Sequence, residues 1–299
     1  MGLTAIVLGA AAGGGFPQWN CNCEVCRLAW AGDTRVRART QASLAVSSGR
    51  QPWTLLNASP DLRAQIQANP ALHPRDLRWS PIASIVLTGA EIDQTAGLLN
   101  LRERSPFTIM ATATTLAAVA DNPMFGALAA EVVSRCAIFP GQRFKLAGGL
   151  EAELFMVPGK VPLYLEAENP ETAEESAANV GVEITDGDKC LAYIPGAAAI
   201  TPALRQRLSR ADVILFDGTL FTDDEMIRTG TGTKAGRRMG HMPIDGDGGS
   251  LAALQGLSAR KIFVHINNTN PILVDGSPER RRVEAAGWEV AEDGMEIVL

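Results

Sequence analysis

The stretch SIVLTGAEIDQTAGL at 84–98 holds the sequence's most informative junction. Residues 84–88 are apolar and β-branched, the signature of a short buried strand, and Thr88-Gly89 closes it. A short helix is expected over 94–102. Between strand and helix lie two carboxylates, Glu91 and Asp93, on a loop at a strand end where metal sites are commonly built. Asp93 equally suits the start of a helix, where exposed backbone N–H groups favour an acid. The stretch by itself leaves both readings open.

Outward from this junction, strand signals recur at 3–9, 43–47, 53–57 and 83–88, and in a second half at 152–157, 181–185, 190–194, 212–216 and 261–265. Residues 59–69 read as a helix with Ser59 at the N-cap, Pro60 following it, and Leu62 and Ile66 four apart. Helices are also expected at 113–120, 126–136, 201–210 and 249–257. Strands dominate each half with helices interspersed, so sheets flanked by helices satisfy the pattern, as an α/β four-layer αββα sandwich or a doubly wound sheet. No linker or repeat divides residues 1–299, and one domain with a metal-binding loop at 13–30 is expected.

Bulk composition narrows the function. The chain has 299 residues, 46% hydrophobic and 20% charged, enough to bury a large core. A net charge of −6 disfavours a broad nucleic-acid or anionic-membrane surface. No run approaches the roughly 20 apolar residues of a membrane span. The opening MGLTAIVLGAAAGGG lacks a basic region and dissolves into glycines, so a first strand and loop are expected rather than a signal peptide, in a cytoplasmic protein.

Of five cysteines, Cys21, Cys23 and Cys26 fall within six residues. Crowded thiols in an intracellular chain hold metal more often than disulfides, and a short loop can wrap three sulfurs around zinc. The fourth ligand must come from elsewhere. Cys136 and Cys190 read as small buried hydrophobes. Of three histidines, His265 ends a strongly apolar strand, His241 lies in a loop, and His73 is expected in solvent. Asp217 follows the apolar strand ending at Phe216, where an acid can orient an imidazole or cap a turn.

Eight segments carry a family resemblance: GAAAGGGFPQWNCNCEVC (9–26), NASPDLRAQIQ (57–67), 87–98, VPGKVPLYLE (157–166), LAYIPGAA (191–198), LFDGT (215–219), RMGHMP (238–243) and FVHINNTNP (263–271). Across essentially the whole chain they resemble the PqqB family, coenzyme pyrroloquinoline quinone (PQQ) synthesis protein B, within the metallo-β-lactamase fold superfamily. The resemblance implies the αββα sandwich with its active site at the sheet edges. Superfamily hydrolases carry an H-x-H-x-D-H loop. Here Gly89 and Glu91 replace its first two histidines, Asp93 keeps the aspartate, and Gln94 replaces the last histidine, so a two-zinc hydrolase is not expected.

The family implies PQQ biosynthesis: iron- and oxygen-dependent hydroxylation of the tyrosine ring in the Glu–Tyr precursor cut from PqqA, or carriage of PQQ or its precursor towards the periplasm. Other PQQ-synthesis proteins are the further expected partners. Glu91, Asp93 and His265 are the expected ligands of an active-site Fe2+, with Gln94 where the family usually has a histidine. Asp217 and His241 are expected to handle protons or orient substrate. Cys21, Cys23 and Cys26 are expected to bind structural Zn2+, closed by Asn268, His241 or water; related phosphodiesterases have a histidine where Asn268 stands.

Overall fold

Sequence-distant strands pair into two mixed sheets of seven strands each in the computed structural model, which describes residues 2–49, 51–166, 172 and 174–299. The first sheet runs β1 (Thr4–Gly9), β2 (Ser43–Ser47), β3 (Trp53–Leu56), β4 (Ile82–Val86), β5 (Phe107–Ala111) and β6 (Val133–Ala137) in spatial order. The second runs β7 (Arg143–Lys145), β8 (Glu151–Pro158), β9 (Glu175–Thr185), β10 (Cys190–Ile194), β11 (Val213–Asp217), β12 (Arg260–Val264) and β13 (Trp288–Val290). The last strand, β14 (Glu296–Val298), returns to pair antiparallel with β1. The strands β3 to β6 and β10 to β13 are parallel.

Side chains alternate across a strand, so each strand feeds two cores. In β1, Ala5 and Val7 join Leu44, Leu56 and Val86 between the sheets, against Leu154, Val182, Tyr193, Leu215 and Ile262. Its Ile6 and Leu8 face outward onto Leu62, Leu98 and Val119. In β11, Val213 and Leu215 point to the inter-sheet core, while Ile214 and Phe216 pack outward with Leu204, Leu208 and Val283. Both faces of the central strands are therefore dry, which is why they read as continuous apolar runs.

Helices cover the two outer faces: α1 (Glu24–Trp30), α2 (Leu62–Ala68), α3 (Ile92–Thr95), α4 (Ala113–Ala120), α5 (Pro202–Leu208), α6 (Glu225–Arg228), α7 (Ser250–Ala253) and α8 (Pro278–Ala285). The result is the αββα sandwich. No helix of the described residues is long and apolar enough to cross a membrane.

Several elements differ from the sequence reading. The helix expected at 126–136 is a 3-10 turn, Pro123–Ala127, followed by β6 at the sheet edge. The helix expected from 59 begins at Leu62 with Asp61 at its N-cap, and the Ser59 hydroxyl instead donates to Gln65 Oε1 at 3.1 Å. The expected helix at 249–257 closes after one turn, at Ala253. Cys136 is exposed rather than buried. The strands β5, β7, β13 and β14 and the helices α1, α6 and α8 add to the elements expected.

Candidate active site

The ends of β4, β10, β11 and β12 bring the 87–98 loop together with Asp217, Thr219, His241 and His265 around a cavity of about 570 Å³. The loop after β4 is held by Asn57. Its side chain accepts from Thr88 N (2.9 Å) and donates to Thr88 Oγ1 (2.9 Å). Asn57 has φ 62°, a left-handed conformation that asparagine tolerates better than most residues. Gly97 closes the loop against the same segment: a Cβ there would lie 2.0 Å from Ser59 O.

Asp93 lies in the first turn of α3, whose N-cap is Glu91 rather than Asp93, and it lines the cavity. Its Oδ2 lies 2.9 Å from His265 Nε2. Burial pushes the Asp93 carboxyl up, but the hydrogen bond and charge of His265 outweigh this and hold it below its ordinary range. The same pairing raises His265 against its own burial.

Glu91 does not join this pair. Its Oε1 takes a hydrogen bond from Lys160 Nζ at 3.0 Å, and both its oxygens accept from Leu163 N at 3.2 Å. Gln94 is likewise engaged inside the loop. Its Oε1 accepts from Glu91 N at 3.2 Å, and its Nε2 reaches Thr88 Oγ1 at 3.4 Å. A Cβ at Gly89 would lie 2.5 Å from Gln94 Oε1, so the bare glycine and the folded-back glutamine are two halves of one packing arrangement. The structure thus sets His241, rather than Glu91, beside His265: their rings stack with centroids 5.1 Å apart.

Asp217 orients this imidazole pair from behind. It is fully buried, and its Oδ2 accepts from His241 Nδ1 (2.7 Å) and Ala197 N (3.0 Å). Its Oδ1 accepts from Thr219 N (3.0 Å) and Thr219 Oγ1 (2.6 Å). Burial raises the Asp217 carboxyl, and the adjacent His241 more than offsets it, leaving it below the ordinary value. Both carboxylate oxygens are in use, so Asp217 serves the histidines and not the cavity.

Thr219 links the two imidazoles, a role the sequence did not reveal. Its hydroxyl has one proton, which the 2.6 Å contact to the Asp217 carboxylate takes. At 2.8 Å it then accepts from His265 Nδ1–H. His241 therefore carries its proton on Nδ1 and keeps Nε2 as a lone pair, whereas His265 gives Nδ1–H to Thr219 and turns Nε2 to the Asp93 carboxylate. His265 has φ 54°, a strained left-handed conformation at the point where β12 ends and the site begins.

The three N-terminal cysteines converge as expected of a metal site: their sulfurs lie within 4.8 Å of one another. Cys23 is the N-cap of α1, and burial pushes its thiol up to about 12. The backbone oxygen of Asn268 lies 3.7 Å from Cys23 Sγ and 3.8 Å from Cys26 Sγ, and its Nδ2 is 3.2 Å from Cys26 Sγ. Asn268, not His241, faces the sulfurs. His73 is exposed, with Nε2 3.1 Å from Gln67 O.

Comparison with known proteins follows this geometry closely. A relative named coenzyme PQQ synthesis protein B, from Methylorubrum extorquens strain PA1, is 55% identical over 98% of this chain and 99% of its own length. A protein of the same name from Rhizobium meliloti strain 1021 is 55% identical over 99% of this chain and 98% of its own. The chain belongs to the PqqB family. A crystal structure of Zn2+-bound PqqB from Methylobacterium extorquens superposes with a TM-score of 0.97 at 54% identity, covering 99% of this chain and 100% of that one. The beta-lactamase superfamily domain matches residues 52–266. That span of this PqqB-family chain contains Asp93, Asp217, His241 and His265 but leaves out both the cysteine loop and Asn268. The cysteine loop lies against the segment that follows His265.

Proposed function

We propose that the chain acts in PQQ biosynthesis as an oxygen-dependent hydroxylase of the tyrosine ring of a PqqA-derived Glu–Tyr precursor, with Fe2+ held by His241, His265 and Asp93. The observation that carries this reading is two imidazoles and one carboxylate brought to one cavity, with His241 Nε2 left open by Asp217 and His265 Nε2 set against Asp93 Oδ2. That donor set suits non-haem iron. His241 replaces Glu91 in the ligand set expected from sequence, because Lys160 already holds Glu91.

Iron, when bound, would supply oxygen activation. The chain's own residues do the rest. Asp217 keeps His241 in the Nδ1–H form, Thr219 accepts from His265 Nδ1–H, and the apolar side chains of Ile92, Leu163 and Met239 offer a surface for a bound ring. Zinc suits the other centre, Cys21, Cys23 and Cys26 with the Asn268 oxygen. There it would tie the 13–30 loop to the segment carrying His265.

The test is incubation of the protein with Fe2+, oxygen, a Glu–Tyr dipeptide and ascorbate as the two-electron reductant that takes the second oxygen atom to water, read by mass spectrometry. Gain of one oxygen atom in the peptide, lost in His265→Ala, is the expected result. No gain alongside saturable PQQ binding would replace the enzyme reading with a carrier.

A further inference from the structure

Two lysines from segments far apart in sequence line the same cavity as the histidines, and the chemistry above uses neither. Lys160 lies in the VPGKVP segment after β8, and Lys234 in the loop between α6 and His241. Lys160 is pressed against the backbone at Gly240, where a Cβ would come within 3.2 Å of its Cγ, and its side chain is only 12% exposed. A lysine so enclosed loses hydration, and its ammonium must be matched by acceptors.

The acceptors present do not exhaust the donors. Lys160 Nζ bonds Glu91 Oε1 at 3.0 Å and Val161 O at 3.4 Å. Lys234 Nζ bonds Glu166 Oε2 at 3.1 Å. Each ammonium has three N–H donors, so among the described residues one on Lys160 and two on Lys234 meet no acceptor. Glu166 does not line the cavity. It is 7% exposed and lies within 3.9 Å of Lys160 Nζ as well, so one buried carboxylate behind the wall anchors both lysines. Two acids do line the wall: Glu91 has both oxygens occupied, and Asp93 is paired with His265. The rest of the lining is largely apolar, with Ile92, Pro162, Leu163, Met226 and Met239 among it.

We propose that Lys160 and Lys234 form a carboxylate-binding subsite, so that the cavity selects a compound joining a planar apolar body to a carboxylate. The body lies on the apolar wall and the carboxylate takes the free ammonium donors, which orients the ring relative to His241 and His265. This rests on the reading that the cavity receives substrate, and it adds which part of the substrate is recognised.

The experiment is calorimetric titration of the full chain with two probes, PQQ and the Glu–Tyr dipeptide, each as the free acid and as its methyl ester. For at least one probe the acid is expected to bind about tenfold or more tighter than the ester. Its affinity should weaken as salt rises from about 0.05 to 0.5 M, because exposed charges are then screened. Lys234→Gln should erase the preference for the acid, and Lys234→Arg should keep most of it. Lys160→Gln should act in the same direction, with a thermal melt establishing that each variant is folded. Equal binding of acid and ester by the wild type, or full acid affinity in a folded Lys234→Gln protein, overturns the subsite and leaves the cavity reading standing. Binding of neither form of either probe overturns both.

Discussion

At the residue scale, Thr219 shows how one hydroxyl can organise a site. It gives its proton to Asp217 and receives one from His265. Replacing it by valine keeps the shape and removes both bonds. Thr219→Val is expected to weaken metal binding at the histidine site by roughly 10–100-fold, the usual cost of losing an outer-shell partner. Thr219→Ser should restore it. Competition with a chelator, with the cysteine site loaded, reads the difference; equal affinities would show that Thr219 is only packing. Gly97 makes a purely steric prediction. A methyl group there would run into the Ser59 and Ala58 carbonyls, so Gly97→Ala should cost about 1–3 kcal/mol in a denaturant unfolding curve. Asp93, His241, His265 and Asp217 were legible because rare residue types at strand ends stand out. Thr219 and Lys160 were not, since nothing in their neighbours says which distant group they meet.

At the element scale, the cysteine loop and the segment after His265 behave as one unit. Ile266 N donates to Ala10 O and Ala12 N donates to Ile266 O, both at 2.9 Å, while Asn268 abuts the thiols. If metal at the cysteines clamps this unit, stripping it or making Cys26→Ser should raise hydrogen exchange at 10–15 and 264–268 well before β2 or β10 responds. Uniform protection across all these segments would count against the clamp. Element reading failed most clearly at 126–136. Its alanines and leucine suggested a helix, yet residues Val133–Ala137 pair with β5 as an edge strand, four of whose five residues are exposed. An edge strand has one sheet neighbour and little burial, so it lacks the apolar alternation that reveals inner strands, and pairing across the sheet overrides local propensity. The inner strands β1, β2, β3 and β10 were read nearly to the residue.

At the scale of the whole molecule, one buried acid sets a pH dependence. Glu225 is 1% exposed, and burial raises it from 4.5 to about 7, although Thr269 Oγ1 and Phe221 N both donate to it. The folded protein therefore keeps a proton that the unfolded chain releases between these values. The stability Glu225 contributes is full below pH 4.5 and is lost as pH rises through about 7. Glu225→Gln should flatten that part of the stability–pH curve, measured by denaturant midpoints across the window. An unchanged slope would mean that Glu225 ionises freely in the folded state.

The sequence by itself determined the layered α/β architecture, the family and the cysteine cluster, and singled out Asp93, Asp217, His241 and His265 as candidates. Those follow from local signals: apolar runs, turn residues, and rare chemical groups in distinctive motifs. Only the tertiary structure decided how these residues divide their work. Glu91 went to Lys160, Gln94 turned back into its own loop, His241 joined His265, and Asn268 closed on the cysteines. Apart from that of Gln94, each partnership joins segments far apart in sequence, and competition among nearby donors for one carboxylate or one sulfur is settled by distances that no local pattern encodes.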